Sequence, residues 1–300
     1  MRKILIFTLL ISVLLLLSGC QQQTTSTGSY YKYTGLKAIS AKFLEGSPTS
    51  SEIDTYQKGE NIDIIIELIN HLPEEVEVGQ AKVRLTGDAA ITTFFTGAQE
   101  KTNPRLLSIN TDTGVATPEE VETGPIRFVG DLTTKISKKI TGQYCYSIPV
   151  KIKANLFYTN KELEIGTNLP AGSNPPSSVQ IVELQQQTVN IGTDGKGELR
   201  FKVTIKNIGQ GTIIPGLSDC FKYRETTARE ELKLKAAAGY PITCDDEIKL
   251  SRTDKSKVVD CKVTGIDMAN LGPDASELTL TLSDFAYEED LDPVTIWLEP

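Results

Sequence analysis

The chain is predicted to be all-β: two tandem β-sandwiches joined by a short linker, with one short helix in the second. Three observations predict it. Leu199, Phe201, Val203 and Ile205 alternate with Arg200, Lys202, Thr204 and Lys206, the pattern of a strand with one face in a core and the other in water. Similar short apolar runs recur along the chain with turn residues between them. The segment from Thr167 to Ser178 is dominated by proline, glycine and small polar residues that exclude regular structure, and it divides the 300 residues into two lengths near the commonest domain size.

Arg2 and Lys3 precede an apolar stretch from Ile4 to Leu17, broken only by Thr8 and Ser12, and Leu17-Ser18-Gly19-Cys20 closes it. A charged start, an apolar middle and a small-residue end make a signal peptide. The stretch is shorter than the roughly 20 residues that span a bilayer. Its ending resembles the lipobox of prokaryotic lipoproteins. That resemblance implies that residues 1–19 are removed and that Cys20 carries lipid as the mature N-terminus. Gln21 to Ser29 is small and polar throughout and cannot bury enough apolar surface to offset ordering entropy, so residues 20–29 are expected to be the lipidated cysteine and a flexible tether. One acyl chain holds a protein only marginally, so stable anchoring implies a second. Tyr30, Tyr31 and Tyr33 follow, placed to pack on the first sandwich or to lie at a membrane interface.

The first sandwich is expected over 30–166. Ile62, Ile64, Ile66 and Leu68 recur at period two, which predicts a strand with one fully buried face. Further strands are expected near 35–44, 75–86, 91–96, 125–130 and 143–158. Pro149 has no N–H to donate, so the last of these must lie at an edge, bulge or break there. The linker is 167–176. The second sandwich is expected over 177–300, with the strand around 199–205 joined by others near 179–191, 241–250, 256–264, 277–286 and 293–299. Thr227 to Ala238 is rich in Ala, Leu, Glu and Lys, with Thr227 and Glu230 spaced as a capping box and Gly239 placed to end a helix. A short helix is predicted there.

Lys58-Gly59-Glu60 leads into the strand that ends at Asn70, and Lys196-Gly197-Glu198 leads into the strand that ends at Asn207. The two phrases suggest an internal duplication. The second continues as Phe201-Lys202-Val203-Thr204-Ile205-Lys206-Asn207-Ile208-Gly209-Gln210-Gly211, which resembles the strand and turn of CARDB-type immunoglobulin-like modules. The first departs at its turn, since Asn70-His71-Leu72-Pro73 lacks the glycines. A tandem of such domains behind a lipobox is similar to prokaryotic cell-surface lipoproteins, archaeal ones among them. The resemblance implies immunoglobulin-like sandwiches and a surface-exposed binding, adhesion or scaffolding role, and it carries no catalytic residue to this chain.

The whole chain has 31 basic and 39 acidic residues; without Arg2 and Lys3 the balance is 29 against 39, a net charge near −10. That argues against nucleic acid as a partner, which would need clustered Lys and Arg. Besides Cys20 the cysteines are Cys145, Cys220, Cys244 and Cys261, and an exported chain is expected to pair them. Cys261 alternates with Val259 and Val263, and Cys244 shares a face with Ile242, which favours Cys244 with Cys261. Cys220 could replace either partner, and Cys145 falls in the other domain. No Cys-x-x-Cys pair supports a zinc site.

His71 is the only histidine, which removes paired-His metal sites and most proton relays. It is expected to be a solvated turn residue. No nucleophile elbow, phosphate-binding loop or dinucleotide fingerprint occurs. Glu288, Glu289, Asp290 and Asp292 make the best candidate for calcium among several acidic clusters, without the usual loop register. Trp297 alternates away from Val294, Ile296 and Leu298 and is either a surface contact or part of a second packed face.

The chain is therefore expected to be a lipid-anchored, extracytoplasmic, non-enzymatic protein without cofactors, held to the membrane through its N-terminal lipid and binding a protein or glycan at the cell surface. A solute-capture lipoprotein serving a transporter is the alternative, which would call for alternating helices and parallel strands. A carbohydrate-active enzyme would call for a cleft with opposed carboxylates.

Overall fold

A computed structural model describes residues 37–87, 94–98, 100–108, 116–159, 169, 172–222, 230–245, 248–250, 255–267 and 275–300. The early strands are β1 (Ile39–Phe43), β2 (Thr55–Tyr56), β3 (Asn61–Ile62), β4 (Ile65–Asn70), β5 (Ala81–Thr86), β6 (Phe95–Thr96) and β7 (Glu100–Thr102). They are followed by β8 (Glu119–Glu122), β9 (Ile126–Phe128), β10 (Ile136–Tyr146), β11 (Val150–Phe157), β12 (Val179–Gln186) and β13 (Asn190–Ile191). Next come β14 (Gly197–Asn207), β15 (Thr212–Ile214), β16 (Glu230–Ala237), β17 (Ile242–Cys244) and β18 (Ile248–Leu250). The chain ends with β19 (Ser256–Ile266), β20 (Ala275–Ser283), β21 (Ala286–Asp290) and β22 (Val294–Leu298). The protein is all-β, with no helix of seven or more residues among those described.

The predicted helix is absent. Its described part, from Glu230, is strand β16, and a short 3-10 turn lies at Leu217–Asp219. Leu232 and Leu234 are buried at period two, and β16 pairs with β18 along its first residues and with β20 along Lys233–Ala237. Ala, Leu, Glu and Lys favour a helix by at most about 0.7 kcal/mol per residue. Burying each of two leucines contributes about 1.5–3 kcal/mol, and the ladder bonds act in the same direction. Thr227 lies outside the described residues.

Two sheets stack face to face in one part of the molecule. One has the order β11-β20-β16-β18 and the other β12-β14-β19-β17. Ile152 and Leu156, Leu278 to Leu282 at period two, and Leu232 and Leu234 line the first inner face; Leu199, Phe201, Val203, Ile205, Val259 and Val263 line the second, all within one apolar cluster. The other sheets are β1-β4-β8, β3-β9-β6, and a larger one of order β15-β21-β10-β22-β2 on which β5 joins β10. Within it β10 changes partner along its length. Ile136–Ile140 pairs with β22, and the following residues to Tyr146 lie between β5 and β21.

Hydrogen bonding crosses the 167–176 segment in both directions. β11, which precedes it, pairs with β20; β21 and β22, at the end of the chain, pair back with β10. The main apolar cluster likewise runs from Ala38 to Leu291. The described part of the segment is docked on β12, with the Asn174 side chain accepting from the Ile181 N–H and donating to the Ile181 carbonyl. Pro149 breaks the long strand expected over 143–158: β10 ends at Tyr146, β11 begins at Val150, and β11 is the edge of its sheet.

The two similar phrases end in turns with the same hydrogen bonds. Counting back from the closing asparagines, Leu68, Ile66, Ile64 and Ile62 occupy the places of Ile205, Val203, Phe201 and Leu199, and all eight are fully buried. Each asparagine is buried too. Asn70 Oδ1 accepts from the Leu72 N–H and its amide donates to the Glu74 carbonyl; Asn207 Oδ1 accepts from the Gly209 N–H and its amide donates to the Gly211 carbonyl. The same two-residue and four-residue reach closes both strands, so the turn survives in the first copy without glycine.

The glycines of the second copy answer to packing. A Cβ on Gly211 would lie 2.3 Å from the Glu288 carbonyl oxygen and 2.7 Å from the Tyr287 ring, and the Gly211 N–H donates to the Tyr287 hydroxyl at 2.7 Å. A carbonyl of a paired strand cannot swing aside. Gly211→Ala is therefore expected to lower stability by about 2–3 kcal/mol, read as a shifted urea midpoint at unchanged slope. A loss under about 0.5 kcal/mol would contradict the close approach.

Candidate functional site

Two disulfides hold the described chain. Cys244 on β17 lies directly across from Cys261 on β19, with Cα atoms 4.0 Å apart. Cys145 on β10 joins Cys220 just after the 3-10 turn, closing a loop of 75 residues. The second bridge was hidden in the sequence because its cysteines lie on opposite sides of the linker.

Around Cys145 the outer face of the large sheet is covered by the loop that carries Cys220. Cys145, Ile214, Cys220, Phe221 and Ala286 form a small apolar cluster of their own. Phe221 takes a left-handed backbone (φ 70°), and its ring lies beneath the Arg84 guanidinium, 4.6 Å from carbon to centroid. The Glu288 carboxylate holds that turn. One oxygen accepts from the Phe221 N–H at 2.7 Å and the other from the Gln143 amide at 3.1 Å. The same amide donates to Asp290, while the Gln143 carbonyl accepts twice from Arg84. Gln143 thus links a guanidinium on one side to two carboxylates on the other. None of this requires a substrate, and each group is occupied by its neighbour.

The candidate calcium residues do not converge. Successive side chains of a strand point to opposite faces: Glu288 and Asp290 turn toward Gln143, whereas Glu289 turns the other way, to the Tyr144 hydroxyl at 2.6 Å and Lys37 Nζ at 2.7 Å. Asp292 lies beyond the strand and is exposed. Among the described residues no group of three His, Cys, Asp or Glu side chains is gathered as metal ligands would be. Tyr144 and Tyr146 are held far from ionising, chiefly by burial and, for Tyr144, next by its bond to the Glu289 carboxylate.

His71 is half-buried rather than solvated. Its Nε2 is 2.8 Å from Ser40 Oγ, and burial first, then the nearby Lys37 charge, lowers its pKa below the ordinary value. Trp297 is partly covered, with Lys135 Nζ 5.3 Å from its ring centroid. Cys20 and the three tyrosines that follow the tether lie outside the described residues. No family model and no curated protein matches the chain. The arrangement around Cys145 is suited to fixing a loop on a sheet. Arg84, Gln143 and Phe221 were not legible as members of it, because only the register of β5, β10 and β21 brings them together.

Proposed function

We propose that the protein is a lipid-anchored, extracytoplasmic, non-enzymatic binding, adhesion or scaffolding component of the cell envelope, built of immunoglobulin-like sandwiches of which the second is CARDB-like. The observation that carries this reading is the use of every described cysteine in two disulfides. Such bonds persist in oxidising, exported compartments and are rare in the cytosol. It agrees with the signal-like segment, the lipobox-like Leu17-Ser18-Gly19-Cys20 and the polar tether, which support the reading of a folded β-protein held beyond the membrane on a lipid. The turn Asn207-Ile208-Gly209-Gln210-Gly211, locked by Tyr287, supports the CARDB-like assignment.

Membrane fractionation of cells making the wild type and Cys20→Ser tests the anchor. The wild type is expected in the membrane fraction after a high-salt wash and to partition into detergent. The variant is expected either as an uncut precursor or as a soluble chain. A cleaved Cys20→Ser chain that stays on the membrane as firmly as the wild type would overturn the anchor.

A further inference from the structure

The outer face of the sheet β11-β20-β16-β18 carries a lysine pattern at odds with the acidity of the chain. Because Leu278, Leu280 and Leu282 of β20 point inward, Thr279 and Thr281 point outward along the middle of the face. Lys151 and Lys153 stand on β11 to one side, and Lys233 and Lys235 on β16 to the other, all four exposed, with Lys249 beyond them on β18. The register is direct: Thr281 pairs with Lys151 on one flank and with Lys235 on the other, and Ser283 pairs with Lys233. The described acidic side chains here are Glu277, 3.0 Å from Lys153, and Asp284, 3.0 Å from Lys233. Leaving aside Lys249, which stands opposite Glu231 in the ladder, four lysines against the two described carboxylates leave this part of the face positive on a chain of net charge −8.

We propose that this face binds an acidic polysaccharide, a polymer of uronate type, laid along β20. The inference rests on the surface-binding role above and names its ligand class. Neighbouring strands lie about 4.8 Å apart, so the two lysine rows stand about 10 Å apart with the hydroxyl row between them, and lysines two residues apart on one strand are about 7 Å apart. A single sugar chain fits that width. Its carboxylates reach lysines on both sides and its hydroxyls meet Thr279 and Thr281. A membrane-docking face would add exposed apolar or aromatic side chains for insertion, and a protein interface would centre on aromatic anchors. Among the described residues, none of the large exposed apolar side chains belongs to this face, and Phe157, at its end, is half-buried. The outer face of the opposing sheet differs. There Glu198 holds both Arg200 and Lys262, Asp260 lies near Lys202, and Val258 is exposed.

The test uses the soluble chain from Gln21 to Pro300 with both disulfides formed, assayed for binding to polygalacturonate, neutral dextran, phosphatidylglycerol-containing vesicles and a single-stranded oligonucleotide. Salt-sensitive binding to polygalacturonate, and none to dextran, is expected. Changing Lys151, Lys153, Lys233 and Lys235 together to Gln should weaken it at least about tenfold, whereas changing Arg200, Lys202, Lys206 and Lys262 to Gln should alter it less than about twofold. Acetylation footprinting of the unmodified chain gives a second readout that no folding defect can affect: polygalacturonate should protect Lys151, Lys153, Lys233 and Lys235.

Absence of binding, equal loss in both variants, tighter binding to vesicles or oligonucleotide, or no protection would each overturn the proposal. So would a first variant that aggregates while still binding the polymer, since its lysines would then serve to keep the sheet edges from pairing with other chains. If polygalacturonate fails while Cys20→Ser still releases the chain, the ligand class is wrong and the anchored reading stands.

Discussion

A chain limited to residues 177–300 is expected not to reach a native state, although it begins just after the proline-rich segment and contains the cleanest strand in the sequence. It lacks β11, the partner of β20, and β10, the partner of both β21 and β22. With them go Ile140, Tyr144, Tyr146, Ile152 and Leu156, all buried. At roughly 2 kcal/mol for each large apolar side chain, their loss is comparable to the whole stability of an ordinary domain, about 5–15 kcal/mol. The fragment also leaves Cys220 without Cys145. Poor dispersion of its amide NMR signals and a non-cooperative urea curve are expected, against a single cooperative transition for residues 37–300. A well-dispersed spectrum from the short fragment would show that the crossing strands are dispensable.

The second large effect concerns the bridge between Cys145 and Cys220. A cross-link stabilises mainly by restricting the unfolded chain, and more so as the loop it closes lengthens. The 75-residue loop of this bridge corresponds to about 4 kcal/mol, and the 17-residue loop of Cys244–Cys261 to about 3 kcal/mol. Replacing Cys145 and Cys220 together by Ala should therefore lower the unfolding free energy more than replacing Cys244 and Cys261, by roughly 1 kcal/mol. Paired cysteine loss also loosens the turn at Phe221, whose N–H is held by Glu288. Urea unfolding of both double variants decides the order; a smaller loss at the long loop would contradict the chain-entropy account.

Much of the local structure was legible. The alternation of Leu199, Phe201, Val203 and Ile205 marked β14, because a strand that is wet on one face repeats every two residues. The run Ile62 to Leu68 marked a buried face, although the structure divides it between β3 and β4. Pro149 marked a break, because it has no N–H to give a ladder. The turn at Asn207 was legible from its glycines, while its counterpart at Asn70 was underrated, since the asparagine and not the glycine makes the bonds they share.

Where local signals competed, they misled. Residues 230–237 carry helix-forming types in a strand pattern, Leu232 and Leu234 alternating with Lys233 and Lys235. Composition favoured a helix, and pairing with β18 and β20 overrode it. With that strand unrecognised, the lysine face could not be seen either. Glu288, Glu289 and Asp290 are consecutive in the chain, yet the pleat sends them to opposite faces.

The sequence by itself determined that the chain is all-β and where most of the strands run, because period-two burial is local. Tertiary structure alone decided which strands meet across residues 167–176, that Cys145 reaches Cys220, and that lysines from β11 and β16 flank the hydroxyls of β20. Each of these depends on register between segments far apart in the chain, and no local interaction carries that information.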